Sequence, residues 1–105
     1  MTGFASISDV LPKTDSGNLK STQYSVAVKV WFTSAGQMQP LSFKFEGEDG
    51  TMQYVKTLTV ESSEDKNYAG IPSREFRCSA CIGGITQHFR LLFYPENSKW
   101  TMVIQ

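Results

Sequence analysis

Alternation of apolar and polar residues, with a period of two, is the main regular pattern along this chain. It is clearest over Arg74–Tyr94, where two alternating runs flank Gly83 and Gly84. Glycine readily supplies the positive φ angles of a tight two-residue turn, so this stretch is predicted to form a β-hairpin at the centre of a sheet. The residues predicted to face the core are Phe76, Cys78, Ala80, Ile82, Phe89, Leu91 and Phe93.

The same alternation predicts four further strands, separated by glycine- and proline-containing turns. They are Tyr24–Thr33, Leu41–Glu46, Met52–Val60 and Trp100–Ile104. Glu61–Ser73 has no periodicity and is predicted to be the longest loop between strands. No stretch of helical length shows a period of 3.6 residues. The pattern therefore predicts an all-β fold, a six- or seven-stranded antiparallel meander that forms a small barrel or rolled sheet.

The first 22 residues differ in composition from the rest of the chain. They are rich in Ser, Thr, Asp, Gly and Lys, which indicates an N-terminal arm that is mostly loop, with room for one short edge strand around Phe4–Val10. Residues 23–105 are predicted to form a single β domain, since a chain of 105 residues has room for one. A domain of this size buries a small core, so we predict a weak tendency to form a homodimer.

Charge and hydropathy narrow the range of partners. Ten basic and ten acidic side chains cancel, and such a balance is not typical of a protein that binds nucleic acid or an anionic membrane. No apolar run is long enough to cross a bilayer as a helix. The first ten residues, MTGFASISDV, lack the features of a signal peptide, so the expected location is the cytoplasm.

The sequence motif with the clearest potential for chemistry is Cys78-x-x-Cys81. It could belong to a metal or redox site, with His88 as the only other soft ligand. At the strand period of two, however, Cys78 and Cys81 point to opposite faces, and a zinc site needs four ligands. We therefore interpret both cysteines as structural. The alternative is a metal site completed across a dimer. No catalytic constellation is recognisable around His88, no cofactor is expected, and an enzyme is the weakest class.

A second candidate is the outward face of the hairpin, which brings basic and aromatic residues together. Such faces bind single-stranded nucleic acid in small barrels, although the neutral net charge favours a face covered by the arm or by a second chain. Its residues, with one contributed by the first strand, are Trp31, Arg77, His88, Arg90, Leu92 and Tyr94.

Strand and turn motifs give the chain a resemblance to a known group of proteins. The motifs are V-K-V-W-F-T, F-R-C-S-A-C-I-G-G and the closing K-W-T-M-V, within Tyr24–Val103. This order is similar to that of a group of short uncharacterised bacterial all-β proteins. The resemblance implies a bacterial origin and a compact β domain, and it implies no activity.

Three functional hypotheses remain. The first is a small non-catalytic interaction or structural module, which binds an unidentified protein partner through sheet edges or one apolar-basic face. The second is a single-stranded nucleic-acid-binding barrel. The third is the metal site of Cys78 and Cys81, shared across a dimer.

Overall fold

Seven antiparallel strands account for most of the residues that the structure, a computed structural model, describes; these are Ile7 and residues 22–104. The strands form one sheet that curls into a half-barrel, in the order β3-β2-β1-β7-β6-β5-β4. This confirms the predicted all-β fold and rolled antiparallel sheet. The strands are β1 (Tyr24–Phe32), β2 (Met38–Glu46), β3 (Met52–Val55), β4 (Thr59–Tyr68), β5 (Ile71–Ile82), β6 (Ile85–Tyr94) and β7 (Lys99–Ile104).

The two edge strands of the sheet are consecutive in the chain. Because every neighbouring pair is antiparallel, β3 and β4 run in the same direction, and only residues 56–58 join them. Before this link the chain pairs with β2, as β3, and after it the chain pairs with β5, as β4. This short link holds the two edges close together, so the sheet must curl, and β4 contacts β2. The middle strand is β7, whereas the sequence pattern predicted the β5–β6 hairpin at the centre.

The concave face of the sheet carries the core. The hairpin residues predicted to face inward do so, and Phe89, Leu91 and Phe76 are almost completely buried. The rings of Phe43 and Phe89 lie 5.2 Å apart in a tilted arrangement typical of aromatic pairs. The predicted turn at Gly83 and Gly84 is also confirmed, with both φ angles positive.

The predicted loop over Glu61–Ser73 is wrong, because most of it belongs to the hairpin of β4 and β5. Strand β4 is an edge strand, and nearly all of its side chains are exposed, so no face of it needs to be apolar. The turn between the strands uses Ala69 and Gly70, with φ of 53° and 84°. Alanine is uncommon at the first position of such a turn, so the pair Ala69-Gly70 is a weaker hairpin signal than Asn-Gly or Asp-Gly.

The predicted strand over Met52–Val60 is split into β3 and the beginning of β4. The residues between them, 56–58, lie outside every strand pairing. Met52 and Tyr54 are exposed, whereas Val55 is buried with the core. The break arises because one continuous segment changes its partner from β2 to β5.

Little of the predicted N-terminal arm falls within the described residues. Ile7 has a helical backbone conformation, is buried in the core, and donates a 3.1 Å hydrogen bond from its amide to Gln87 Oε1. The predicted edge strand around Phe4–Val10 otherwise lies outside the described part of the chain. Within that part, no helix has the length and apolar character needed to cross a membrane.

Candidate functional site

The predicted binding face on the outside of the hairpin is largely neutralised by acidic residues. Arg90 Nη1 donates a 2.8 Å hydrogen bond to Glu75 Oε2, and Lys66 Nζ lies 3.5 Å from Glu75 Oε1. His88 Nδ1 lies 3.7 Å from a carboxylate oxygen of Glu61. Of the two arginines predicted for this face, Arg90 therefore has a local carboxylate partner.

The Glu75 carboxylate is the centre of this network. Its side chain is 1% exposed, although it lies on the convex face of β5, whereas its chain neighbour Phe76 faces the core. Burial raises the pKa of Glu75. The hydrogen bond and charge of Arg90, together with the charges of Lys66 and Arg77, lower the pKa by a larger amount, so it lies below its ordinary value. This arrangement is typical of a structural ion-pair network.

Two other residues of the predicted face are committed to the protein itself. Leu92 is 3% exposed although it points away from the core residue Leu91, so it is not available to a ligand. The hydroxyl of Tyr94 donates a 2.7 Å hydrogen bond to Gln23 Oε1, which also accepts one from Thr101. Among the hairpin residues predicted to form this face, Arg77 and His88 are the exposed ones.

Trp31 does not join the hairpin residues. It lies five residues along β1 from Val26, whose partner on β7 is Trp100. Arg90 pairs with Val103, which lies three residues from Trp100 in the opposite direction. At about 3.3 Å per residue, Trp31 and Arg90 are separated by roughly 25 Å along the strand direction. The structure therefore divides the predicted face into two separate regions.

The two cysteines lie on opposite faces of β5. Cys78 is buried beside Phe89, and burial, followed by the Glu61 carboxylate, raises the pKa of its thiol to about 12. Cys81 is exposed. Within residues 22–104, no three metal-ligating side chains come together, and His88 pairs with Ser79 rather than with either cysteine.

A concave region lies where β4 and β5 separate. Their last pair is Thr59 with Ser79, and β5 then continues over Ala80–Ile82, which pair only with β6. Opposite them stand the end of β3 and the link 56–58. The resulting opening, called here the β3–β5 cleft, has a volume of about 700 Å³ and is lined by residues 54–57, Thr59, 79–83 and Thr86.

Unpaired strand edges are the chemical feature of this cleft. Successive residues of a strand direct their N–H and C=O groups to opposite sides, and Ile82 closes the two-residue turn with Ile85, so within Ala80–Ile82 it is Cys81 whose backbone groups point away from β6, where no strand is paired. Such an edge is a template on which an extended chain can form hydrogen bonds. Cys81 lies on the wall of the cleft with its free thiol exposed. Sequence reasoning missed this site because its walls come from segments that are distant in sequence.

A lysine-rich face adjoins the cleft on the convex side of β1–β3. It is a groove of about 500 Å³ whose lining includes Lys29, Lys44, Met52 and Tyr54. Tyr54 lines both the groove and the cleft, and it is 53% exposed. We call the convex surface formed by Lys29, Lys44, Tyr54 and the neighbouring Lys56 the lysine face.

A third opening lies at the far end of the half-barrel. Met38 and Phe93 line it together with Arg74, which forms a 2.7 Å ion pair with Asp65. Arg74 is thus already paired, and its guanidinium also stacks on the ring of Phe76 at 5.8 Å. Lys66, the other cation that lines this opening, pairs with Glu64 and Glu75, so both of these cations have carboxylate partners.

Comparison of the chain with protein-family models, with curated proteins and with solved structures gives no match.

Proposed function

We propose that this protein is a non-catalytic interaction module that binds an extended segment of a partner polypeptide in the β3–β5 cleft. The partner would add a short strand along Ala80–Ile82. The observation that carries this proposal is the separation of β4 from β5 at Thr59 and Ser79, which leaves that edge unpaired. Strand addition is a common mode of peptide recognition because main-chain hydrogen bonds supply affinity whatever the sequence.

The β4 edge of the sheet is protected against the same reaction. Most of β4 is exposed, and its edge carries Glu61, Glu64, Asp65 and Lys66 within six residues. Charged side chains on an edge strand oppose pairing with another strand. Thr59 and Ser79, at the mouth of the cleft, are uncharged. This contrast favours the cleft over the rest of β4, and it weakens the case for a homodimer formed through β4.

The nucleic-acid hypothesis receives less support than peptide binding. On the predicted face, Arg90 is paired with Glu75, Leu92 is buried, and Trp31 lies elsewhere. An unpaired strand edge also matches the donors and acceptors of a peptide backbone, which nucleic acids lack.

Selection from a display library of random eight-residue peptides tests the proposal. Bound peptides should slow the reaction of the Cys81 thiol with a disulfide reagent, because the added strand lies beside it. Methylation of alternate backbone nitrogens in a selected peptide should abolish binding, since strand addition needs those N–H donors. Recovery of no binder, or binders that leave Cys81 fully reactive, would refute the proposal. Binding that survives methylation in both alternating registers would do the same.

A further inference from the structure

We infer that the partner segment recognised in the β3–β5 cleft is acidic, with glutamate or aspartate at the positions that face outward and aliphatic residues at those that face inward. This inference rests on the proposed function. It concerns the side chains of the partner, whereas the proposed function concerns only its backbone.

The charge around the cleft carries the first part of the inference. Lys56 lies on its wall, and Lys44 is the cross-strand partner of Tyr54, which forms the boundary with the lysine face. Lys29 lies further along the same convex surface. Within residues 22–104, none of these three lysines forms an ion pair; the ion pairs found there involve only residues of β4, β5 and β6.

Two acidic residues at the β2–β3 turn, Glu46 and Asp49, are turned toward that turn. The Asp49 carboxylate accepts a 2.9 Å hydrogen bond from the amide of Thr51. Oε2 of Glu46 lies 3.6 Å from the position that a Cβ atom on Gly50 would occupy. The opposite wall contributes the uncharged residues Ser79, Cys81 and Thr86. An acidic partner would therefore find cations on one wall and no opposing charge on the other.

The alternation along the strands carries the second part. Ala80 and Ile82 are buried with the core, whereas Cys81 is exposed. A strand added beside them would present alternate side chains to the same two environments. Its inward side chains would approach Ala80, Ile82 and Val55, which favours valine or isoleucine. Its outward side chains would lie beside Tyr54 and Lys56.

Four synthetic probes test this inference by protection of Cys81 and by fluorescence anisotropy. The first is an eight-residue peptide that alternates glutamate and valine, and the second is its lysine–valine counterpart. The third has the same glutamates and valines grouped in two blocks, and the fourth is an oligothymidine. The alternating acidic peptide should bind most tightly and should protect Cys81. Its affinity should fall several-fold between low and high salt, because the lysines are at the surface.

Variants locate the contact. K56E and K44E should each weaken binding of the acidic peptide by about three- to fivefold, the range expected for one surface ion pair turned repulsive. K29E should have a smaller effect because it lies further from the cleft. K99E is the matched control: Lys99 is exposed on β7, away from the cleft, and its reversal should leave affinity unchanged.

The outcomes separate the inference from the proposed function. Equal binding of the acidic and basic alternating peptides, both protecting Cys81, would overturn the inference and leave strand addition in place. Binding of the acidic peptide without protection of Cys81 would overturn strand addition. Failure of all peptides at millimolar concentration would overturn both. Binding of oligothymidine alone, sensitive to K44E and K56E, would assign the lysine face to nucleic acid and overturn the inference.

Discussion

Arg90 donates a 2.8 Å hydrogen bond to a Glu75 carboxylate that is only 1% exposed, on the side of β5 opposite the core. The sheet is therefore fixed on its convex side by a buried acid held between Arg90 and Lys66. This pairing leaves less of the positive charge of the hairpin available to a ligand. The charge of Arg90 stabilises the carboxylate, and removal of that carboxylate would leave Arg90 without its acidic partner.

Replacement of Glu75 by glutamine should destabilise the protein. The change leaves Arg90 without its carboxylate partner, whereas Lys66 keeps its ion pair with Glu64. Because Arg90 is partly exposed, we expect a loss of about 2 kcal/mol rather than the larger cost of a fully buried pair. Urea denaturation followed by tryptophan fluorescence measures this loss. The matched control is E64Q: Glu64 also pairs with Lys66 but is exposed, so its replacement should cost less than about 0.5 kcal/mol. Equal costs for the two variants would contradict this role of Glu75.

The same residue should make stability depend on acidic pH. The pKa of Glu75 in the folded protein is below its ordinary value of 4.5. Its contribution is therefore complete above pH 4.5 and is lost as the pH falls from there toward the lowered pKa. The wild-type stability should decrease over that interval, and the E75Q variant should show a smaller decrease. Parallel pH profiles for the two proteins would show that Glu75 does not titrate as described.

The two cysteines should differ strongly in reactivity. Cys81 is exposed, whereas Cys78 is buried with a pKa raised to about 12, so little of its thiolate is present near neutral pH. A disulfide reagent should modify one thiol per chain rapidly and the second only as the protein unfolds. C81S should lose the fast phase and keep the slow one. Two fast thiols, or a fast phase that persists in C81S, would refute the assignment.

Two turns offer a paired test of backbone strain. Gly84 has φ of 79°, and no atom lies within 4 Å of the position of an added Cβ, so G84A should cost about 1 kcal/mol through conformation alone. Ala69 already has a φ of 53°. A69G should therefore stabilise the protein, by up to about 1 kcal/mol, since glycine relieves the strain. Thermal unfolding of both variants provides the comparison, and a destabilised A69G would show that Ala69 is not strained.

The sequence predicted the parts of the fold in which one face is buried and the other is exposed. The hairpin over Arg74–Tyr94 and the strand Tyr24–Phe32 have that character, and both form where the alternation indicated. Strand β4 was missed because it is an edge strand with polar residues on both faces, so its order depends on pairing with β5 rather than on its own pattern.

The candidate site could be predicted only in part. The alternation of side chains along a strand predicted that Cys78 and Cys81 lie on opposite faces, and in the structure Cys78 is buried and Cys81 is exposed. The cleft beside Cys81 could not be predicted, because the break in Met52–Val60 is invisible in an apparently continuous strand. The burial of Leu92 could not be predicted either, since the alternation along a strand gives the face on which a residue lies but not what packs on that face.

Hydrogen exchange at Ala80–Ile82 tests strand addition most directly. In the free protein, the amide of Cys81, which points away from β6, should exchange quickly, because the pairing of β5 with β4 ends at Ser79. On addition of the alternating glutamate–valine peptide, or of any peptide selected for binding, the Cys81 amide should exchange at least about tenfold more slowly. A bound peptide that leaves the exchange of this amide unchanged would contradict the account.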